Sequence, residues 1–397
     1  MKHHRKLSEL FSARAVHSHL TILILTMCFP VVLQAAKSPA AKKQIIAYIF
    51  PKDRTLTPGE ISASKLTRIN YAFADLQNGQ IVEGFANDAE NFAFLNTLKR
   101  DNPSLTVLVS IGGWTWSGNF SDMALTKQSR KIFIESAVKF IGKHKLDGLD
   151  IDWEYPGLPG DNHRYRLEDK QNYTLLLQEL RARFDHEEKR LHRHLVTSIA
   201  TGASTDFLEH TEMAKVQRYV DTVNLMSYDY YVPSWDKTTG HHAPLFTNPA
   251  DPKKISADRT VQEYENAGVP AGKLVLGVPF YGKSWSQVPD SNHGLFQPGK
   301  EAPNVYLPYS ALIGLESSGY TRYWDAQSSA PYLYNQTTQT FISYEDPESL
   351  KKKCEYVLDH KLAGVMFWEY SGDSANILLN SINTGLANTF TVAPGSR

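Results

Sequence analysis

Eight short apolar runs, spread along most of the chain, constrain its fold more than any other feature. They are Gln44–Phe50, Arg68–Asp75, Leu105–Gly112, Leu146–Glu154, His194–Thr201, Val220–Asp229, Lys273–Phe280 and Ala363–Glu369. Most are continuous rather than alternating, the pattern of strands buried on both faces. Helical patterns separate several of them. In Lys131–Lys143, residues Phe133, Ile134, Ala137, Val138 and Ile141 share one face. Asp346-Pro347 opens another helix, with an acid at the N-cap and proline in the first turn. Strands alternating with helices imply a parallel sheet, and eight repeats point to a closed (β/α)8 TIM barrel. Periodicity alone leaves a doubly wound open sheet as the rival.

One connection is too long for a barrel. Over seventy residues separate the seventh run from the eighth, where a loop and a helix need far fewer. Within them, Tyr320–Trp324, Pro331–Tyr334 and Thr340–Tyr344 read as antiparallel strands, the last two joined by the turn-rich Asn335–Gln339. A small α+β insertion is therefore expected at 288–346, forming one wall of a cleft on the barrel rim. The barrel would occupy 37–287 and 347–385, with a loose polar tail at 386–397.

The N-terminus has the layout of a processing signal. Lys2, His3, His4, Arg5, Lys6 and Arg14 precede an apolar run from Leu20 to Leu33, with small residues at Ala35 and Ala36. The run is short and broken by proline, so a cleaved secretory signal over 1–36 is expected rather than a membrane span. Cleavage there removes Cys28 and leaves Cys354 without a disulfide partner.

Charge narrows the partners. Lys+Arg and Asp+Glu are both 42, for a formal net charge of zero. A nucleic acid partner needs a positive excess, so none is expected. A neutral polymer fits better. The 20 Tyr, 18 Phe and 7 Trp suit the stacking of sugar faces, although aromatics also fill large cores.

The chemistry concentrates in the fourth run, Leu146-Asp147-Gly-Leu-Asp150-Ile-Asp152-Trp-Glu154-Tyr-Pro156. Side chains alternate along a strand, so Asp150, Asp152 and Glu154 face one way and Leu149, Ile151 and Trp153 the other. The apolar set suits the helix layer, which sends the acids into the barrel, roughly 6.7 Å apart at ~3.3 Å per residue. Buried like charges resist joint ionisation, so the column must share protons. That arrangement keeps Glu154 protonated as an acid, at the strand end where barrel enzymes place catalysis. A metal site would need ligands converging on one point, which a straight column does not supply. Asp147 has the opposite parity and reads as structural.

The Asp-x-x-Asp-x-Asp-x-Glu pattern resembles the signature of glycoside hydrolase family 18. Ser110-Ile-Gly-Gly-Trp114, Met226-Ser-Tyr228-Asp229, Lys273–Tyr281 with Gly282, and Gly364-Val-Met-Phe-Trp368-Glu369 are similar to its third, sixth, seventh and eighth strand motifs. The insertion resembles the extra domain of bacterial-type chitinases. The resemblance implies a chitinase with a substrate-assisted retaining mechanism, an exception to the two-carboxylate scheme. Glu154 would be the proton donor. Asp152 would bind the substrate's acetamido N–H, Asp150 would share a proton with Asp152, and Tyr228 would bind the acetamido oxygen. Among the substrate contacts, Asp229 would bind the distorted sugar, Met226 would pack beneath it and Trp368 would form its floor. Trp114 and Trp235 would stack sugars on the leaving side. Tyr48 and Phe73 would line the pocket, and motif position adds Gly113, Tyr155, Tyr281 and Lys283. Many relatives carry arginine at the last of these; lysine keeps the charge and loses the bidentate fork. The adjacent His241 and His242 are expected at a sugar or at the surface.

The implied partners are chitin and chito-oligosaccharides, with no metal or cofactor, no lasting membrane association and a monomeric state. Alternatives are a hydrolase of another acetamido-sugar polymer, such as N-glycan or peptidoglycan, and a chitin-binding lectin. Lectins of the family usually lack the catalytic glutamate, and Glu154 is present.

Overall fold

The computed structural model describes residues 42–387. The expected signal segment and the residues after 387 lie outside the described part. The strands are β1 (Gln44–Ile49), β2 (Arg68–Gln77), β3 (Gln80–Val82), β4 (Thr106–Gly112), β5 (Gly148–Asp152), β6 (Val196–Gly202), β7 (Thr222–Met226) and β8 (Leu274–Pro279). They continue with β9 (Tyr281–Ser286), β10 (Lys300–Pro308), β11 (Thr321–Asp325), β12 (Ala330–Asn335), β13 (Thr340–Ser343) and β14 (Gly364–Trp368). All eight apolar runs form strands.

Those eight close a barrel. The order runs β1-β14-β8-β7-β6-β5-β4-β2, every pair is parallel, and β1 also pairs with β2. The open-sheet alternative is thereby excluded. The short β3 folds back on β2 as an antiparallel hairpin. β5 is buried along its whole length, with its outward residues Leu149 and Ile151, and Trp153 directly after it, in the main apolar core. Trp153 stacks on Phe120 at 5.4 Å and meets Tyr173 edge-on at 5.7 Å. The helix Lys127–His144 buries Phe133, Ile134, Ala137 and Ile141, while Val138 is half-buried against the same core. Asp346 caps the helix Pro347–Asp359, accepting from the N–H groups of Glu348 and Ser349 at 2.9 Å each. Two orphan donors of the first turn are satisfied this way.

Between β8 and β14 stands a separate antiparallel sheet in the order β10-β9-β13-β12-β11. Its first strand begins at Tyr281, directly after the barrel strand, rather than at Val288. The sheet packs Trp285, Tyr332, Tyr334 and Phe341 against Tyr230 and Tyr231 of the loop after β7. This fastens the insertion to the C-terminal rim of the barrel. Cys354 is a buried free thiol, and burial pushes its pKa up to about 12.

Candidate active site

The acid column is built by register. Ser110 of β4 and Ser198 of β6 are the direct neighbours of Asp150 on either side. Their hydroxyls donate to Asp150 Oδ2 at 2.7 Å and Oδ1 at 2.5 Å. Across the barrel, the Tyr48 hydroxyl donates to Oδ2 at 2.9 Å and Asn224 Nδ2 to Oδ1 at 3.3 Å. Asp150 is fully buried beneath the cleft. Burial pushes its carboxyl up, and Ser198, Ser110 and Tyr48 pull against that. One position up, Asp152 has a different environment. Its Oδ1 is buried with no hydrogen-bond partner. Burial first, then the charges of Glu154 and Asp150, push its carboxyl well above the ordinary range.

Glu154 lies two residues beyond β5, where the chain enters the rim, and its N–H donates to Ser117 Oγ at 2.9 Å. Burial pushes its carboxyl up to about 7; the Tyr155 hydrogen bond opposes this and the Asp229 charge adds to it. A carboxyl of that kind is a proton donor near neutral pH.

Beside it, Asp229 gathers three partners. Tyr281 donates to its Oδ1 at 2.7 Å, Lys283 Nζ lies 3.3 Å away and His242 Nδ1 3.5 Å away. Burial works to raise the Asp229 carboxyl, and these neighbours outweigh it, leaving it below its usual range. Both histidines are interior, which corrects the expectation of a surface or sugar contact. His242 is fully buried, and burial pushes its imidazole down to about 4. His241 is also buried, with Nε2 3.2 Å from Asp325 Oδ2. A loop held under the insertion sheet, with the His242 N–H donating to Ser343 Oγ at 2.8 Å, takes both out of solvent.

Aromatic rings form the walls. Trp368 stacks on Phe73 at 5.6 Å and 21°, with Tyr48 at 5.9 Å. Met226 packs from below with Ile46, Val275 and Met366. Trp114 stands 5.6 Å from Trp235 and 6.4 Å from Tyr155. Trp235 is 67% exposed, which no core role explains. A cleft of about 1480 Å³ is lined by Tyr48, Phe73, Trp114, Asp152, Glu154, Tyr155, Met226, Tyr228, Asp229, Trp235, Tyr281, Lys283 and Trp368. Asp150 and Gly113 are the expected site residues that do not line it. Gly113 sits behind Phe73 at φ +78°, where a Cβ would come within 2.6 Å of the ring. Asp147 is structural, as its parity implied: it accepts the Val107 N–H at 2.7 Å and pairs with Lys99 at 2.5 Å and Arg193 at 3.0 Å.

Residues that the sequence reading did not assign to the site complete it. Phe50, Phe85 and Trp116 line the cleft, and Ser110, Ser198 and Asn224 serve Asp150. Strand parity tells which side chains face inward, but not which strands become neighbours or stand opposite in the closed barrel.

Comparison with known proteins agrees with this geometry. Residues 44–373 match the profile of Glycosyl hydrolases family 18. Chitinase A1 of Niallia circulans is 36% identical over 94% of this chain, and the chain spans 63% of that relative's length. Chitinase 1 of Aphanocladium album is 33% identical over 84% of this chain and 82% of its own. Among solved structures, a glycoside hydrolase family 18 N-acetylglucosaminidase from Paenibacillus barengoltzii superposes with a TM-score of 0.79. It is 40% identical, and the match covers 86% of this chain and 99% of that one. With the family match running from the first barrel strand to the turn after the last, the chain belongs to glycosyl hydrolases family 18.

Proposed function

We propose that the protein is a secreted chitinase that hydrolyses β-1,4 bonds between N-acetylglucosamine units, with the substrate's own acetamido group as nucleophile. The observation that carries the reading is the pairing, at the end of β5 and just beyond it, of a buried, unpartnered carboxyl oxygen on Asp152 with Glu154, whose carboxyl burial pushes up to about 7. The names of the relatives support chitin or its oligosaccharides as substrate.

In the first step Glu154 gives its proton to the glycosidic oxygen as the bond to the anomeric carbon breaks. The acetamido oxygen attacks that carbon and forms an oxazolinium ion. Asp152 Oδ1 accepts the acetamido N–H, and passing the shared proton down to Asp150 lets the Asp152 carboxylate steady the developing positive charge. The Tyr228 hydroxyl donates to the acetamido oxygen and aims it. In the second step Glu154, now a carboxylate, takes a proton from water, whose oxygen bonds to the anomeric carbon as the oxazolinium C–O bond breaks and the acetamido group is restored, with net retention. Trp368 supports the distorted sugar, and Trp114 with Trp235 stacks the sugars of the leaving group. The basic and apolar segment Lys2–Leu33 followed by Ala35-Ala36 supports export from the cell.

A second reading is release of single N-acetylglucosamine units, favoured by the 40% identity to an N-acetylglucosaminidase over 99% of its length. The test is hydrolysis of a chromogenic chito-oligosaccharide by the wild type and by Glu154→Gln, with circular dichroism on both and chromatography of the products. Cleavage by the wild type and none by a folded mutant supports the reading, and product length separates the two substrate modes. Binding without cleavage by the wild type rejects it, and N-glycan, peptidoglycan and lectin activity are then assayed in turn.

A further inference from the structure

Arg68 is a buried cation inside the barrel, at the N-terminal ends of its strands, only 4% exposed. It sits on β2, and its Nη1 donates across the interior to Thr222 Oγ1 on β7 at 2.8 Å. In the closed order β1, β2, β4, β5, β6, β7, β8, β14, these two strands are diametrically opposite. Burial of a charge is expensive without a compensating partner. Asp150 is the first of the charges that offset it and Asp221 the second.

The hydrogen bonds leading from Arg68 have one direction only. A guanidinium has donors and no acceptor. Thr222 Oγ1 therefore accepts from Arg68 and has its single proton free for Asn224 Oδ1, 3.1 Å away. That fixes the amide with Nδ2 toward the column. Nδ2 then donates to Tyr48 Oη at 3.0 Å and to Asp150 Oδ1 at 3.3 Å. With its oxygen occupied by that bond, Tyr48 turns its own proton to Asp150 Oδ2. Together with Ser110 and Ser198, four donors converge on Asp150, filling the acceptor capacity of an ionised carboxylate.

We propose that Arg68 is a positioning residue for the acid column: a fixed buried cation that, through Thr222 and Asn224, orients the donors around Asp150 and keeps the column's negative charge there. The column's protons are thereby held higher up, on Asp152 and Glu154, where substrate arrives. This rests on the proposed catalytic role of the column. The titratable groups acting on Asp150 are Tyr48 on β1, Arg68 on β2, Asp152 above it and Tyr173 in the helix layer, while Glu154 and Tyr228 act on Asp152 one level up. The three tyrosines are neutral, because burial pushes each phenol well above its ordinary range. Among the described residues, Arg68 is the cation that acts on Asp150.

The test is the pH profile of kcat/KM on a chito-oligosaccharide for the wild type, Arg68→Gln, Arg68→Lys and Thr222→Val, with circular dichroism on each. Loss of the cation makes the column bind protons more tightly. The acid limb of Arg68→Gln is therefore expected about one pH unit higher, the lower end of the effect of an opposite charge. Arg68→Lys restores the wild-type limb, and Thr222→Val shifts it part of the way. A lower profile with unmoved limbs in folded Arg68→Gln overturns the proposal, as does an equal shift in glutamine and lysine variants. Should Arg68→Gln fail to fold, the Thr222→Val limb decides. If the wild type cleaves nothing, the chitinase reading falls. Infrared difference spectra against an Asp150→Asn reference then decide the inference separately: a gain of protonated carboxyl at Asp150 in Arg68→Gln upholds it, and no gain rejects it.

Discussion

Asp150 and Asp152 stand two residues apart on one strand and face the same interior, yet Asp150 receives four hydrogen-bond donors while Asp152 Oδ1 receives none. The first is built to hold charge. The second keeps an open acceptor, a costly feature that a protein stabilised only for itself would not retain. Asp152→Ala, which removes the acceptor altogether, is expected to lower kcat by about 10²-fold, the loss typical of one removed transition-state partner. Its melting temperature should equal or exceed that of the wild type. Stopped assays and thermal scans on the two proteins check both halves.

Glu154 links activity to pH and stability. Its carboxyl titrates near 7 in the folded protein, against 4.5 for an ordinary glutamate. The folded state binds that proton more tightly than the unfolded chain, so stability falls as pH rises through the window from about 4.5 to about 7. Glu154→Gln removes this penalty. The mutant should match the wild type in stability at the acid end and exceed it above pH 7, by at most about 3 kcal/mol. Its kcat should fall on the order of 10²–10⁴-fold. Urea titrations across this window test the stability difference, and an unchanged difference between acid and alkaline ends contradicts it.

Trp235 offers a contact without a structural role, being 67% exposed beside Trp114. Trp235→Ala should raise KM for a chito-oligosaccharide about 10-fold, equivalent to about 1.4 kcal/mol of lost stacking. The melting temperature should not move. A fall in thermal stability would mean that the ring packs rather than binds.

Gly113 is constrained twice, by φ +78° and by the Phe73 ring behind it. Gly113→Ala should cost about 1–3 kcal/mol through backbone strain and a displaced ring, with KM rising as Phe73 moves into the cleft. Denaturant unfolding with kinetics on the same preparation measures both.

The fold was legible wherever burial leaves a periodic trace. Most of the eight barrel strands show as continuous apolar runs, since a parallel strand is covered on both faces. The hairpin strand β3 and the sheet strand β10 were not: Lys300–Pro308 is mostly exposed or half-buried with no regular alternation, carries two prolines and has an irregular register against β9. The inward parity of Asp150, Asp152 and Glu154 was legible for the same reason as the strands. The donors to Asp150 were not, because closure of the barrel brings β1, β4, β6 and β7 around it, and closure leaves no mark on any one strand. His241 and His242 were misplaced because a long loop has no period, and their burial depends on the insertion sheet that covers them.

The most direct test of the mechanism compares chitotetraose with its fully N-deacetylated analogue on one preparation of the wild type, measuring kcat/KM for each. The account predicts cleavage of the first and no detectable cleavage of the second, since the deacetylated sugar lacks the oxygen that attacks the anomeric carbon. Comparable rates on both would contradict it, for the nucleophile would then have to come from the protein or from water.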